Sequence, residues 1–418
     1  MNKNIRKAIG PGLLFATNAI GTSHLVFSTK AGAEFGFIYF WIILGALLLT
    51  YPFFEFSVRY VNGRGRNLLQ AYKEQSRYAL WLVIVMLLLN TLSVSALCKV
   101  ADGLFTTILG YSGSLALPLL IVTALILVIG RFSVLDNFIK VLCAVLGVTL
   151  LVTFIATLVK GPVEPLANFT PKEMFDGYGL ALLVATLGYM PAPMFSSIFQ
   201  SVWNESKVES SNYKPTLKEV LFDFNFGFIL TAILAFLFLI IGVFTLYGSG
   251  TEMSDATPVF AKQLIGIFTN HIGEWSFLII GITAFAAIYG TFLAAIDGFS
   301  RTISRGLATF SQKSKTFNSD SYQKTSNKYY PYVIGAIVVI AIIVISQNVN
   351  MGTLLRFTAI LAFFCSPIIA FLNMKAVTNE NMPKSHRPKK FLLNWSYLGL
   401  AYIFGVAILV IAYRLGLF

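Results

Sequence analysis

The chain is short of charge: Asp, Glu, Lys and Arg together make up 12% of its 418 residues, about half the fraction usual in a soluble domain. That leaves too few solvated side chains to cover a water-facing surface of this size. Acidic residues are the scarcer sign, 18 against 31 Lys and Arg, and histidines and cysteines number three each. Cys98, Cys143 and Cys365 all fall within apolar runs, where a thiol behaves as a small hydrophobe rather than as a disulfide partner or metal ligand. No P-loop, HExxH or GxSxG motif and no pair of catalytic carboxylates occurs, which argues against an enzyme and against a nucleotide-driven pump. A filter loop or ring of charge, the mark of a channel, is missing too.

What the chain has is apolar length. Apolar residues make up 56%, in continuous runs rather than the alternating pattern of barrel strands, so membrane-spanning helices are the only way to satisfy the backbone. Runs of about 18 residues or more predict eleven spans, near 8–29, 36–60, 79–109, 113–130, 134–159, 178–202, 221–247, 274–299, 329–347, 352–373 and 394–415. The fold class is all-α integral membrane, in a single transmembrane domain. Met1–Lys7 reads as the charged flank of span one rather than as a cleaved signal.

The net charge of +13 does not indicate nucleic acid, because the cations gather between spans: Arg59, Arg64, Arg66, Lys73 and Arg77, then Arg301 to Lys328, then Lys375 to Lys390. By the positive-inside rule these segments are cytoplasmic. The expectation is a multi-pass protein of the cell membrane, N-terminus inside and C-terminus outside, whose partners are the lipid bilayer and a small solute or metal ion. A monomer is compatible with this, and the oligomeric state stays open. Residues 300–328, polar from Ser311 onward, read as a cytoplasmic linker, and Thr257–Phe268 as an amphipathic stretch on the outer face.

Two spans are interrupted. Span one carries Gly21-Thr22-Ser23-His24 at its middle, and span six carries Met190-Pro191-Ala192-Pro193, where two prolines remove amide donors. Spans one and six open two halves of five, about 8–159 and 178–373, and paired interruptions at corresponding positions point to an inverted-repeat secondary transporter with its site at the breaks. The eleventh span is then an addition. His24 reads either as a packed, hydrogen-bonded residue or as a ligand or proton carrier. Asn18, Thr22 and Ser23 add neutral donors and acceptors, and Met190 a soft thioether.

Other charges within the spans have two readings each. Lys99 and Asp102, three apart, share a helix face and are placed to form a buried pair. Lys140 lies about two turns into span five, where snorkelling is the ordinary explanation. Glu55 with Arg59 and Asp297 with Arg301, each four apart, read as interfacial ion pairs or gate latches. Asp223 and Asn225 read as capping the start of span seven, and Arg356 as snorkelling outward.

The opening Gly10-Pro11-Gly12 and LLFATNAIGTSHL resemble the first helix of the NRAMP divalent-metal transporters, which have the LeuT-type fold. FWIILGALLLTYPFFEFSVRYVNGRGRNLLQAY is similar to that family's second helix and following loop, YMPAPMF to its sixth-helix break, and LFDFNFGFILTAILAFLF and GTFLAAIDGFSRTI to helices seven and eight. The resemblance covers most of residues 8–373. It implies a LeuT-type five-plus-five inverted repeat with an eleventh helix, helices one and six broken, working by alternating access.

Against the family's Asp-Pro-Gly-Asn motif this chain has Gly21, Thr22, Ser23 and His24, so the metal-binding carboxylate is missing. Against Met-Pro-His it has Met190, Pro191 and Ala192. The tenth-helix glutamine falls at Ala359, and the third-helix acids at Ser93 and Ala96. The expected substrate site is Asn18, Gly21, Thr22, Ser23, His24, Leu187, Met190, Pro191, Ala192 and Ala359. His24 and Met190 are its candidate metal ligands.

Family resemblance thus favours metal-ion symport, while hard divalent ions want carboxylates; a small polar organic solute such as an amino acid is the alternative. No cofactor is expected beyond a coupling proton or sodium ion. The coupling candidates are His24, Lys99, Asp102 and Lys140, the last as an ammonium standing where relatives of this fold hold sodium.

Overall fold

The computed structural model describes residues 9–165, 171–248, 254, 257–312 and 319–416. Met1–Lys7, residues 313–318 of the anticipated linker and the Thr22 side chain lie outside the described residues.

Among those residues the secondary structure is helical throughout. Eight helices are long and apolar enough to cross a membrane: Ile38–Arg64 (span two), Arg77–Leu109 (three), Phe132–Lys160 (five), Leu217–Leu246 (seven), Glu274–Ser311 (eight), Ser319–Ser346 (nine), Met351–Thr378 (ten) and Lys390–Arg414 (eleven). The remaining expected spans fall on shorter or interrupted helices. Span one is Pro11–Ala19, Ile20–Ser28 and Thr29–Phe35; span four is Ala116–Gly130; span six is Gly177–Tyr189 followed by Ser196–Ser211.

The sequence predicts a gap between spans four and five, yet helical backbone runs unbroken from Ala116 to Lys160. A straight helix of that length would measure about 67 Å, twice the hydrocarbon thickness. The run instead doubles back near Gly130. The Ala116 carbonyl accepts from Cys98 in the second half of span three, and at the other end the Gly161 carbonyl accepts from His271, whose helix Thr257–Ile272 packs against that same half of span three.

The interruptions of spans one and six differ, and the imide explains why. Span six has prolines, so its helix stops at Tyr189 and resumes at Ser196, with Met190 extended between. Span one has none within its interruption, so every amide there can donate, and Ile20–Ser28 forms a π-helix rather than an unwound loop. The wider i→i+5 turn absorbs the irregularity while keeping the backbone bonds within the segment.

Span seven seats along span one by close backbone approach, the way helices pack in lipid. A Cβ at Gly227 would lie 2.6 Å from the Gly12 carbonyl carbon, and one at Gly242 would lie 3.0 Å from that of Thr29. Span eight is the most enclosed, 72% of its apolar window being buried, against 22% and 17% for spans five and nine. Spans two, three, seven, eight and ten, each more than half buried, thus surround the broken spans one and six, and spans five, nine and eleven face lipid. The face where span one begins gathers Arg59, Arg64, Lys207, Arg301 and Arg305 and is called the basic face below.

Candidate transport site

A cavity of about 30 Å³ lies where spans one, three, six, eight and ten converge, lined by Asn18, Ser23, Ser93, Tyr189, Thr291 and Phe299 among others. That is room for a water or a small ion. Every polar group on its wall is neutral. Asn18 Nδ2 donates to Ser196 Oγ at 2.8 Å, which ties span one to the second half of span six. Tyr189 OH donates to Thr358 Oγ1 at 3.1 Å, which ties the first half to span ten.

Thr291 holds the π-helical turn in place. Its hydroxyl donates to the Thr17 carbonyl at 2.7 Å and accepts from the Gly21 amide at 2.8 Å. A Cβ at Gly21 would overlap Thr291 Oγ1 and lie 2.6 Å from Thr291 Cβ. A side chain at position 21 therefore needs Thr291 to give way.

The expected site residues do not meet in one place. His24 is fully buried and faces span seven. Its Nε2 lies 2.9 Å from the Thr231 carbonyl, so that nitrogen carries the hydrogen, and Nδ1 lies 2.6 Å from Ser23 Oγ. Met190 lines a separate space of about 20 Å³ with Leu187, Ala192 and Met194, against Phe363 and Tyr402. Pro191 lies in the break. The Ala359 carbonyl approaches Gly188, a backbone contact between spans ten and six. No cluster of three or more His, Cys, Asp or Glu side chains placed to hold a metal occurs among the described residues.

The anticipated Lys99–Asp102 pair does not form. Lys99 Nζ donates to the Val349 carbonyl at 2.6 Å, and Asp102 accepts from Ser114 Oγ at 2.7 Å and the Leu115 amide at 2.6 Å, capping span four. Both residues lie in the second half of span three and meet groups of connecting segments, at Val349 and at Ser114–Leu115, rather than each other. Lys140 donates to Asp136 at 2.7 Å, and Lys207 donates to the same oxygen at 2.7 Å, so Lys140 belongs to a cluster at the basic face and not to the cavity. Asp223 caps a different helix from the one expected. It accepts from the amides of Gly10 at 3.0 Å and Gly12 at 2.7 Å, at the start of span one, while Thr216 and Glu219 cap span seven.

The basic face is closed by further networks. Arg59 pairs with Glu55. Asp297, fully buried, accepts from Trp203 Nε1 at 2.7 Å, Tyr330 OH at 2.6 Å and Arg301 Nε at 3.1 Å. Arg305 pairs with Glu205 and Glu209, each at 2.8 Å, and Asn67 donates to Glu205 at 2.7 Å. Sequence reasoning missed Arg305, Glu205, Glu209 and Asp136. The four-residue spacings of Glu205 to Glu209 and Asp136 to Lys140 were the available signal. Phe15, Phe54, Phe224 and Phe228 pack together between the cavity and this face, with Phe15 and Phe54 centroids 5.1 Å apart.

Residues 12–413 match the family described as Natural resistance-associated macrophage protein-like. The chain belongs to the Nramp family. An uncharacterized protein of Pasteurella multocida (strain Pm70) is 31% identical over 415 residues, 98% of this chain and 93% of that protein. Among solved structures, an Eremococcus coleocola manganese transporter, crystallised with an aromatic bis-isothiourea substituted compound, aligns with TM-score 0.64 at 15% identity, covering 96% of this chain and 84% of that one. MhsT in complex with L-phenylalanine aligns with TM-score 0.57 at 14% identity over 98% of both chains. These likenesses establish the LeuT-type fold. This Nramp member has that fold with a centre lined by hydroxyls, an amide and aromatic rings.

Proposed function

We propose that this protein is a secondary transporter working by alternating access, with its basic face cytoplasmic, and that its cargo is a small polar solute carrying at most one net charge. The observation that carries this reading is the neutral cavity at the junction of spans one and six, with Thr291 occupying the space a carboxylate at Gly21 would need. A doubly charged ion brought there without an anion would meet a desolvation cost of several kcal/mol at least. A solute recognised through hydroxyls and a carboxamide would not. The latched basic face and the water-sized cavity describe a closed conformer, and an organic solute would enter once the two halves of span six part from spans one and ten.

A second reading, divalent-metal transport, is supported by the family and by a cavity sized for a dehydrated ion. Calorimetry of the purified protein against Mn²⁺, Zn²⁺, Cu⁺ and a panel of amino acids separates the two. The first reading expects a metabolite to bind at micromolar affinity with no saturable metal binding; saturable Mn²⁺ binding overturns it.

Coupling to protons would run through His24, whose Nδ1 faces Ser23 on the cavity wall. Its neutral form accepts from Ser23; its protonated form donates to it and turns the Ser23 hydroxyl toward the Ala19 carbonyl. Uptake into proteoliposomes under a pH gradient tests this. Acceleration that survives replacement of His24 by Gln would remove the assignment.

A further inference from the structure

A third cavity, of about 500 Å³, opens between spans two, six and eleven on the side away from the basic face, within the size range of ligand pockets, roughly 300–1,000 Å³. Its wall includes Trp41, Gly45, Leu183, Leu187, Val406 and Tyr413. Span two has no side chain at Gly45, where a Cβ would meet nothing within 4 Å, so that position adds open space to the groove. Trp41 and Leu409 on its lips are 71% and 57% exposed, so the groove opens outward along the helices that cross the bilayer.

We propose that this groove holds one acyl chain of a bilayer phospholipid as a resident ligand. Three observations support that occupant. Groove residues on span eleven run from Tyr402 to Tyr413, roughly 16 Å at 1.5 Å per residue, which is one leaflet of a hydrocarbon core of about 30 Å. Aromatic rings stand at the mouth, where Tyr413 OH donates to the Phe175 carbonyl, at the depth such rings take in membranes. A cation follows them in the chain, Arg414, next to Tyr413 at the end of span eleven, which suits a headgroup phosphate. The deep end is shared, through Leu187, Tyr402 and Val406, with the space around Met190 and Met194. The chain therefore packs against the break of span six and buttresses its first half.

The test uses the full-length protein in nanodiscs containing a phosphatidylglycerol with a photoactivatable diazirine on one acyl chain, with crosslinks located by mass spectrometry. Crosslinks are expected to concentrate on residues 180–187 and 402–410, and to fall at least tenfold in Gly45→Phe, whose ring fills the groove. Gly335→Phe, also with open space around its Cβ but on span nine, should label as the wild type does. Thermal melting of each variant establishes that it is folded. Crosslinks spread equally over the lipid face of span five at Ile155 and Val159, or undiminished in folded Gly45→Phe, would overturn the proposal.

Discussion

The contact between Gly21 and Thr291 yields a prediction whose size can be worked out. In Gly21→Ala the new methyl overlaps Thr291 Oγ1 and comes within 2.6 Å of Thr291 Cβ, so span one and span eight must separate by about an ångström. Two buried hydrogen bonds then fail, the Gly21 amide to Thr291 and Thr291 to the Thr17 carbonyl. At about 1 kcal/mol for each bond and 1–3 kcal/mol for overpacking, the substitution costs about 3–5 kcal/mol. For a chain of this length that is on the order of 3–5 °C in melting temperature, read as a ranking in detergent because unfolding is irreversible.

In a Thr291→Gly background both the obstruction and the two bonds are already gone. The same Gly21→Ala change is then expected to be neutral or slightly stabilising, as Gly to Ala is within helices. The reasoning is refuted if Gly21→Ala costs the same in both backgrounds. The pair also tests what the site can hold. Gly21→Asp with Thr291→Gly places a carboxylate at the interruption of span one and makes room for it, and calorimetry should then show Mn²⁺ binding absent from the wild type.

Three further outcomes are expected. Replacing Arg305 by Met strands Glu205 in a largely buried setting and should cost about 3–5 kcal/mol, read as a lowered melting temperature; adding Glu205→Gln should recover most of it. Asp223→Ala leaves the Gly10 and Gly12 amides without their acceptor, so a cysteine at Leu14, fully buried in the wild type, should react with a thiol reagent from the basic face at least tenfold faster; an unchanged rate would show that Asp223 does not hold span one shut. His386, between spans ten and eleven, has its pKa lowered by burial and by the nearby Arg59 and Lys214 charges. A lowered histidine pKa means the folded state prefers the neutral ring, so its contribution is complete above the unfolded value of about 6.5 and is lost as pH falls through the folded value. Melting curves of His386→Gln should therefore lose less stability than the wild type between pH 7 and pH 5.

The membrane fold was legible because it follows from one-dimensional properties: apolar length sets where helices cross, and the prolines at 191 and 193 set where span six stops. Ion pairs four residues apart, Glu55 with Arg59 and Asp297 with Arg301, were legible for the same reason, since helix geometry alone brings them together.

The site was legible only in part. Asn18 and Ser23 line the cavity as the interruptions suggested, but Thr291, Ser93 and Phe299 reach it from other spans and carry no local signal. His24 and Met190 sit at the two interruptions in sequence yet point to opposite sides, toward span seven and toward spans ten and eleven, because the direction of a side chain depends on how each broken helix is rotated in the bundle. Lys99 and Asp102 shared a face and still took other partners, because loop backbone supplied by span packing satisfied each first. The sequence by itself determined that helices cross a membrane and that two of them are interrupted, both consequences of what hydrocarbon and the imide ring permit. Which polar groups share a cavity, and why a side chain at position 21 is costly, was decided by the approach of span eight to span one, a contact between residues 270 positions apart.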